Sequence, residues 1–139
     1  MSQRRLLGMV ISICLFVALL SVGMFAYSSG GPFSSIHVAS NRSSYTGKAC
    51  PIKVIFTASI NFQQPHGPFE FNYHWERSDG GKSETQVVSV PKSKKSIVIR
   101  EEWSLGSPGM HYDAFVTLHV NSGNTHLSER SPVVKINCK

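Results

Sequence analysis

Apolar and polar residues alternate with period two through most of the chain beyond residue 35. In "PIKVIFTASINF" (51–62), Ile52, Val54, Phe56, Ala58 and Ile60 share one face, and Lys53, Thr57, Ser59 and Asn61 take the other. In "FEFNYHWER" (69–77), Phe69, Phe71, Tyr73 and Trp75 oppose Glu70, Asn72, His74 and Glu76. Residues 96–105 align Ile97, Ile99, Trp103 and Leu105, and residues 112–120 align Tyr112, Ala114, Val116, Leu118 and Val120. Shorter runs at 36–40, 83–90 and 131–138 behave alike. Such alternation marks antiparallel strands with one face buried. The breaks carry turn chemistry. Asp79-Gly80 suits a tight turn that needs positive φ, and loops 63–68, 106–110 and 121–124 are built on Gly, Pro and Asn. The pattern predicts an all-β fold: seven antiparallel strands in a two-sheet β-sandwich.

The first residues obey a different rule. Leu6 to Tyr27 is a run of 22 residues without a charge, preceded by Arg4 and Arg5. Its length exceeds a signal-peptide core of about 7–15 residues and meets the roughly 20 that span a bilayer. The arginines place residues 1–5 on the cytoplasmic side. Residues 6–27 are therefore expected to be a transmembrane anchor, or a signal peptide if cleavage occurs near Met24 or Ser29. Residues 28–35, "SSGGPFSS", are expected to be a flexible linker, and 36–139 the exported domain. The expected location is a single-pass membrane protein with an exported C-terminal domain, or a secreted protein after cleavage.

Export bears on the cysteines. Cys14 falls within the apolar run, so Cys50 and Cys138 are the pair left to the domain. In an oxidising compartment two such residues form a disulfide. Closing so long a loop stabilises by roughly 4 kcal/mol in the chain-entropy model. The 14 basic residues include Arg4 and Arg5, so 12 remain against 8 acidic ones in the exported part. That excess is modest and no nucleic-acid partner is expected. Part of it lies in "PKSKKS" (91–96), a solvated hairpin tip that could also meet anionic polymer or lipid headgroups.

Several motifs together resemble a bacterial immunoglobulin-like domain of exported and surface proteins. They are "SYTGKACPIKVIFTASI", "FNYHWERSDG", "EEWSLG", "VTLHV" and the terminal "INC". The resemblance covers about Ser40 to Cys138. It implies a seven-stranded immunoglobulin-like sandwich and a module for adhesion, spacing, or carbohydrate and protein contact. Phe115 departs from it, standing where a tryptophan is expected. Trp75 is then a core residue packing across the sandwich, with His74 and Glu76 on the outer face.

Candidate chemistry is sparse. Oxidised cysteines offer no thiol nucleophile. Ser89 and Lys92 match S-x-x-K spacing, but Pro91 forbids the helix that would align them. No catalytic residue, cofactor or metal site is expected. His74 and His119, on neighbouring strands, are the pair from which a metal site would start, and it would need Glu76 or Asp113. A solvated polar face is the simpler reading. Asn41-Arg42-Ser43 has the form of a glycosylation acceptor, which a bacterial protein would not use. Phe62, Phe115 and Tyr45 are read as aromatics off the core phase. Phe62, His66 and Phe115 are the candidate binding residues for a protein or sugar. The expected function is a non-catalytic binding or structural module displayed at the cell envelope. The alternative is a secreted inhibitor or periplasmic partner that inserts loops 63–68 and 106–110 as a wedge.

Overall fold

The computed structural model describes residues 31–139. The flank 1–5, the run 6–27 and residues 28–30 of the expected linker lie outside them. Among the described residues no helix is long and apolar enough to cross a membrane. Ten strands follow in order: β1 (Phe33–Ser40), β2 (Ser44–Gly47), β3 (Ile52–Phe62), β4 (Phe69–Arg77), β5 (Gln86–Val90), β6 (Ser96–Leu105), β7 (His111–Ala114), β8 (Val116–Ser122), β9 (Thr125–Arg130) and β10 (Val134–Cys138). One sheet has the order β1-β3-β6, a second β5-β4-β8-β9, and a third β2-β10-β7.

The third sheet continues the second. β7 runs into β8 across Phe115, and β9 runs towards β10 across Ser131–Val133. β8 pairs with β9 and β7 with β10, both antiparallel, so the four strands are one long hairpin with matching breaks. Two serines make the splice. Ser78 donates its backbone N–H to the Phe115 carbonyl at 2.9 Å, and its hydroxyl accepts the Phe115 N–H at 3.2 Å. The buried Ser131 hydroxyl accepts the Val116 N–H at 3.0 Å, and the Ser131 N–H returns to the Val116 carbonyl at 2.8 Å. Backbone groups inside a fold need partners, and here side chains supply what the ladder omits.

The differences from the alternation pattern are local. The expected strand 112–120 is divided at Phe115, and β2 and β9 are added. β1 begins at Phe33, so residues 33–35 belong to the sandwich and not to a linker. The cause is Phe33 itself, buried and paired in register with Phe62. Phe62 is also buried, which corrects its reading as an aromatic off the core phase and available for binding. It extends the even-numbered face of β3 by one more step. Its ring meets those of Phe33, Phe69 and Phe71 at 6.2, 5.3 and 6.1 Å, and these four rings fill one end of the core. Trp75 is buried in the middle, its indole N–H without a hydrogen-bond partner among the described residues. Burying each large side chain contributes about 1.5–3 kcal/mol. At the other end Cys50 and Cys138 are bonded, S–S 2.01 Å, joining the start of β3 to the end of β10.

Candidate functional site

The outer face of the second sheet gathers polar side chains in two cross-strand rows. Asn72 of β4 lies opposite Asn121 of β8, which lies opposite His126 of β9. Two residues along, His74 lies opposite His119, and His119 opposite Ser128. Side chains alternate across a sheet, so burial of Trp75, Leu118 and Val120 turns His74 and His119 outward. Their rings stack at 4.8 Å between centroids and 14° between planes. His126 stacks on His119 from the next row at 6.0 Å.

Hydrogen bonds orient these rings. His119 Nδ1 is 2.8 Å from Ser128 Oγ, which leaves Nε2 facing the Glu76 carboxylate at 3.3 Å. His126 Nδ1 bonds Asn121 Oδ1, and the Asn121 amide donates to Asn72 Oδ1 at 3.1 Å. Lys82 Nζ lies 3.9 Å from Glu76 Oε2. Burial holds the His74 pKa below the ordinary 6.5; the nearby His119, Lys82 and His126 act in the same direction, and Glu76 opposes them. The ring therefore stays neutral and keeps a lone pair at neutral pH. One ligand atom each from His74, His119 and Glu76 lies within 4.8 Å of the others.

Of the two acids expected to join the histidines, the structure brings Glu76 and not Asp113. Asp113 is opposite Lys135 on the β7–β10 ladder, its carboxylate 3.9 Å from Lys135 Nζ. His126, Ser128 and Lys82 are additions that alternation did not single out. They follow from the register of β9 and from the Glu76–Lys82 bridge after the β4 turn.

The aromatic candidates are placed elsewhere. His66 packs edge-on against Phe62 and Phe69 at 5.8 and 5.2 Å. Both its ring nitrogens are engaged, with Gly67 O at 2.7 Å and Lys94 O at 2.6 Å. It closes the end of the sandwich. Phe115 is half-buried at the splice, under the Arg130 guanidinium at 3.4 Å from the ring centroid. Tyr45 packs against the core and accepts the Ala49 N–H at 3.0 Å. Asn41 Oδ1 accepts the Ile55 N–H at 3.0 Å, a structural role.

The two ends of the sandwich differ. β3 and β6 pair from Ile52–Leu105 to Asn61–Ser96. At about 3.4 Å per residue this ladder is roughly 30 Å long. Loop 63–68 follows one end and loop 106–110 the other, so they cannot act together as one wedge. Loop 63–68 shares its end with the basic tip 91–96, through Gln64 and His66 on Lys94 O, and with the segment that enters β1, through Gln63 N–H on Pro32 O. The opposite end holds the disulfide and an open cleft between Ser78, Asp79, Trp103, Met110 and Tyr112.

No protein-family model matches the sequence, and neither does any curated protein. Solved structures do match in shape. The CARDB domain of a Pyrococcus furiosus protein, determined in complex with di-metal ions, superposes at a TM-score of 0.52 with 13% identity over 80% of this chain and 100% of that one. The alkylpurine DNA glycosylase AlkC of Pseudomonas fluorescens, bound to DNA containing an abasic site analog, matches at 0.50 and 14% over 78% of this chain. This chain spans 31% of that enzyme. At such identities the shared property is the fold, an immunoglobulin-like β-sandwich.

Proposed function

We infer that the protein is a non-catalytic contact module of the bacterial immunoglobulin-like kind, tethered to the cell envelope by residues 6–27. The observation that carries this reading is the Cys50–Cys138 bridge in a domain that follows an apolar run flanked by Arg4 and Arg5. Structural disulfides belong to exported proteins. The position of Pro32 and Phe33, where the domain begins, supports a definite orientation. Residues 28–32 reach at most about 18 Å, so the end bearing Lys92, Lys94 and Lys95 is held near the headgroups, where its positive charge suits an anionic surface. The disulfide end, with the exposed Met110 and the cleft beside Trp103, then faces outward for contact with a protein or a sugar.

An impermeant amine reagent applied to right-side-out spheroplasts tests this, with peptide mapping. The expected result is labelling of Lys48 and Lys139, at the disulfide end, and protection of Lys92, Lys94 and Lys95 relative to protein in detergent. Labelling only after lysis would contradict export. Equal labelling at both ends would contradict the orientation.

A further inference from the structure

The outer face carries three stacked imidazoles with a carboxylate beside them. His74, His119 and His126 come from three adjacent strands, and Glu76 stands beside them. A solvated sheet face does not need neighbouring imidazoles packed ring on ring, because protonating more than one of them places like charges in contact.

From this geometry we propose that His74, His119 and Glu76 hold one divalent transition-metal ion of the zinc class. Imidazole nitrogen and carboxylate oxygen together suit zinc and its neighbours in the series, and two histidines with one carboxylate form an established three-ligand set that leaves one position open. Bonds of about 2.0–2.1 Å in a tetrahedron put ligand atoms roughly 3.3 Å apart. His119 Nε2 and Glu76 Oε2 already stand at 3.3 Å. The remaining separations, up to 4.8 Å, close by rotation of His74, whose ring is only half-buried. The fourth position faces solvent and takes water.

The second sphere is in place. A metal-bound histidine donates its other ring N–H to a fixed acceptor. Ser128 Oγ at His119 Nδ1 provides one, and a hydroxyl can donate or accept. Without metal, Ser128 donates to Nδ1 and the Nε2–H proton lies towards Glu76. With metal, the tautomer reverses: Nδ1–H donates to Ser128, and the ion takes the place between Nε2 and the carboxylate. In that exchange the ring proton moves from Nε2 to Nδ1 and none is released. His74 adds a ring nitrogen from the neighbouring strand. Lys82 competes, since its ammonium already lies 3.9 Å from Glu76 Oε2. The ion would pin β4 to β8, the two inner strands of the sheet.

The site stands whether or not the domain is displayed at the envelope. Its test uses the full chain in detergent, stripped with a chelator and titrated with Zn2+ by calorimetry, with metal analysis after gel filtration. One Zn2+ per chain is expected. His119→Ala and His74→Ala should each weaken binding by at least roughly tenfold, with the disulfide and the far-UV spectrum unchanged. His37→Ala and His111→Ala, on other strands, should leave it intact. Lys82→Gln should strengthen it by roughly fivefold, the effect of removing one water-screened charge at about 4 Å. Absence of saturable binding would overturn the proposal. So would binding that survives His119→Ala, or that falls equally with His37→Ala.

Discussion

Arg77 of β4 and Glu101 of β6 join the two sheets through the sandwich. The guanidinium sets Nε and Nη2 on one carboxylate oxygen at 3.0 and 2.7 Å, and its Cζ lies 5.4 Å from the centre of the Trp103 ring. The Glu101 side chain is 13% exposed and that of Arg77 33%, so water screens the pair weakly. Removing one partner strands the other, at a cost of about 1–3 kcal/mol. Glu101→Ala should lower the urea midpoint accordingly. The double variant Arg77→Met/Glu101→Leu should recover most of the loss, because well-packed apolar groups often replace a shielded pair without penalty.

Ser131→Ala removes the acceptor of the Val116 N–H at the splice. Ser131 is 5% exposed, so the N–H is left without water as well. The expected loss is about 1–3 kcal/mol in equilibrium unfolding. A Ser78→Ala change should cost less, because Ser78 is exposed and its backbone N–H still bonds Phe115. Equal effects would show that the splice does not depend on burial.

Gly106 sits beneath the disulfide at φ +99°, and a Cβ built there would lie 2.5 Å from Cys138 Sγ. An L-residue is strained by that φ and collides with sulfur. Gly106→Ala is expected to raise the fraction of free thiol in the purified protein and to lower its melting temperature. Full oxidation with unchanged melting would contradict this packing.

The lowered His74 pKa gives stability a pH dependence. A base with a lower pKa when folded binds fewer protons folded than unfolded, so unfolding takes up protons and stability rises with pH. The contribution is full above the ordinary value of 6.5 and is lost as pH falls below it towards the lowered one. His119, Lys82, His126 and Glu76 are the groups that face this ring. Urea midpoints between about pH 5 and 8, with chelator present, should fall towards acid. His74→Gln should flatten that slope, and an unchanged slope would remove His74 as its source.

Much of the sandwich was legible because β3, β4, β6 and β8 bury one face each, and burial writes period two into a strand. The elements that escaped notice lack that imprint. β2 has four residues and gains its place by parallel pairing with distant β10. β9 is an edge strand whose one large apolar side chain, Leu127, is half-buried. The division at Phe115 is invisible because Ala114 and Val116 keep the phase, while the serines that impose it lie 37 and 15 residues away. Phe62 was misread because a polar, proline-bearing loop follows it, yet the aromatic end of the core covers it. The His74–His119 pairing was legible from strand order. The choice of Glu76 over Asp113, and the presence of His126 and Ser128, needed the register. Glu101 keeps the phase of Ile99 and Trp103, and a charged residue in that phase was the available sign of an inward ion pair.

Export, closure by the Cys50–Cys138 bridge and tethering at the membrane are proposed together. The most direct measurement is the intact mass of the protein from membrane, soluble and medium fractions of expressing cells, alkylated before and after reduction. The expected result is a membrane-bound species that retains residues 1–30 and in which Cys50 and Cys138 are alkylated only after reduction. A cytosolic species with both thiols already alkylated would contradict export and closure together, and a medium species beginning near Met24 or Ser29 would contradict the tether.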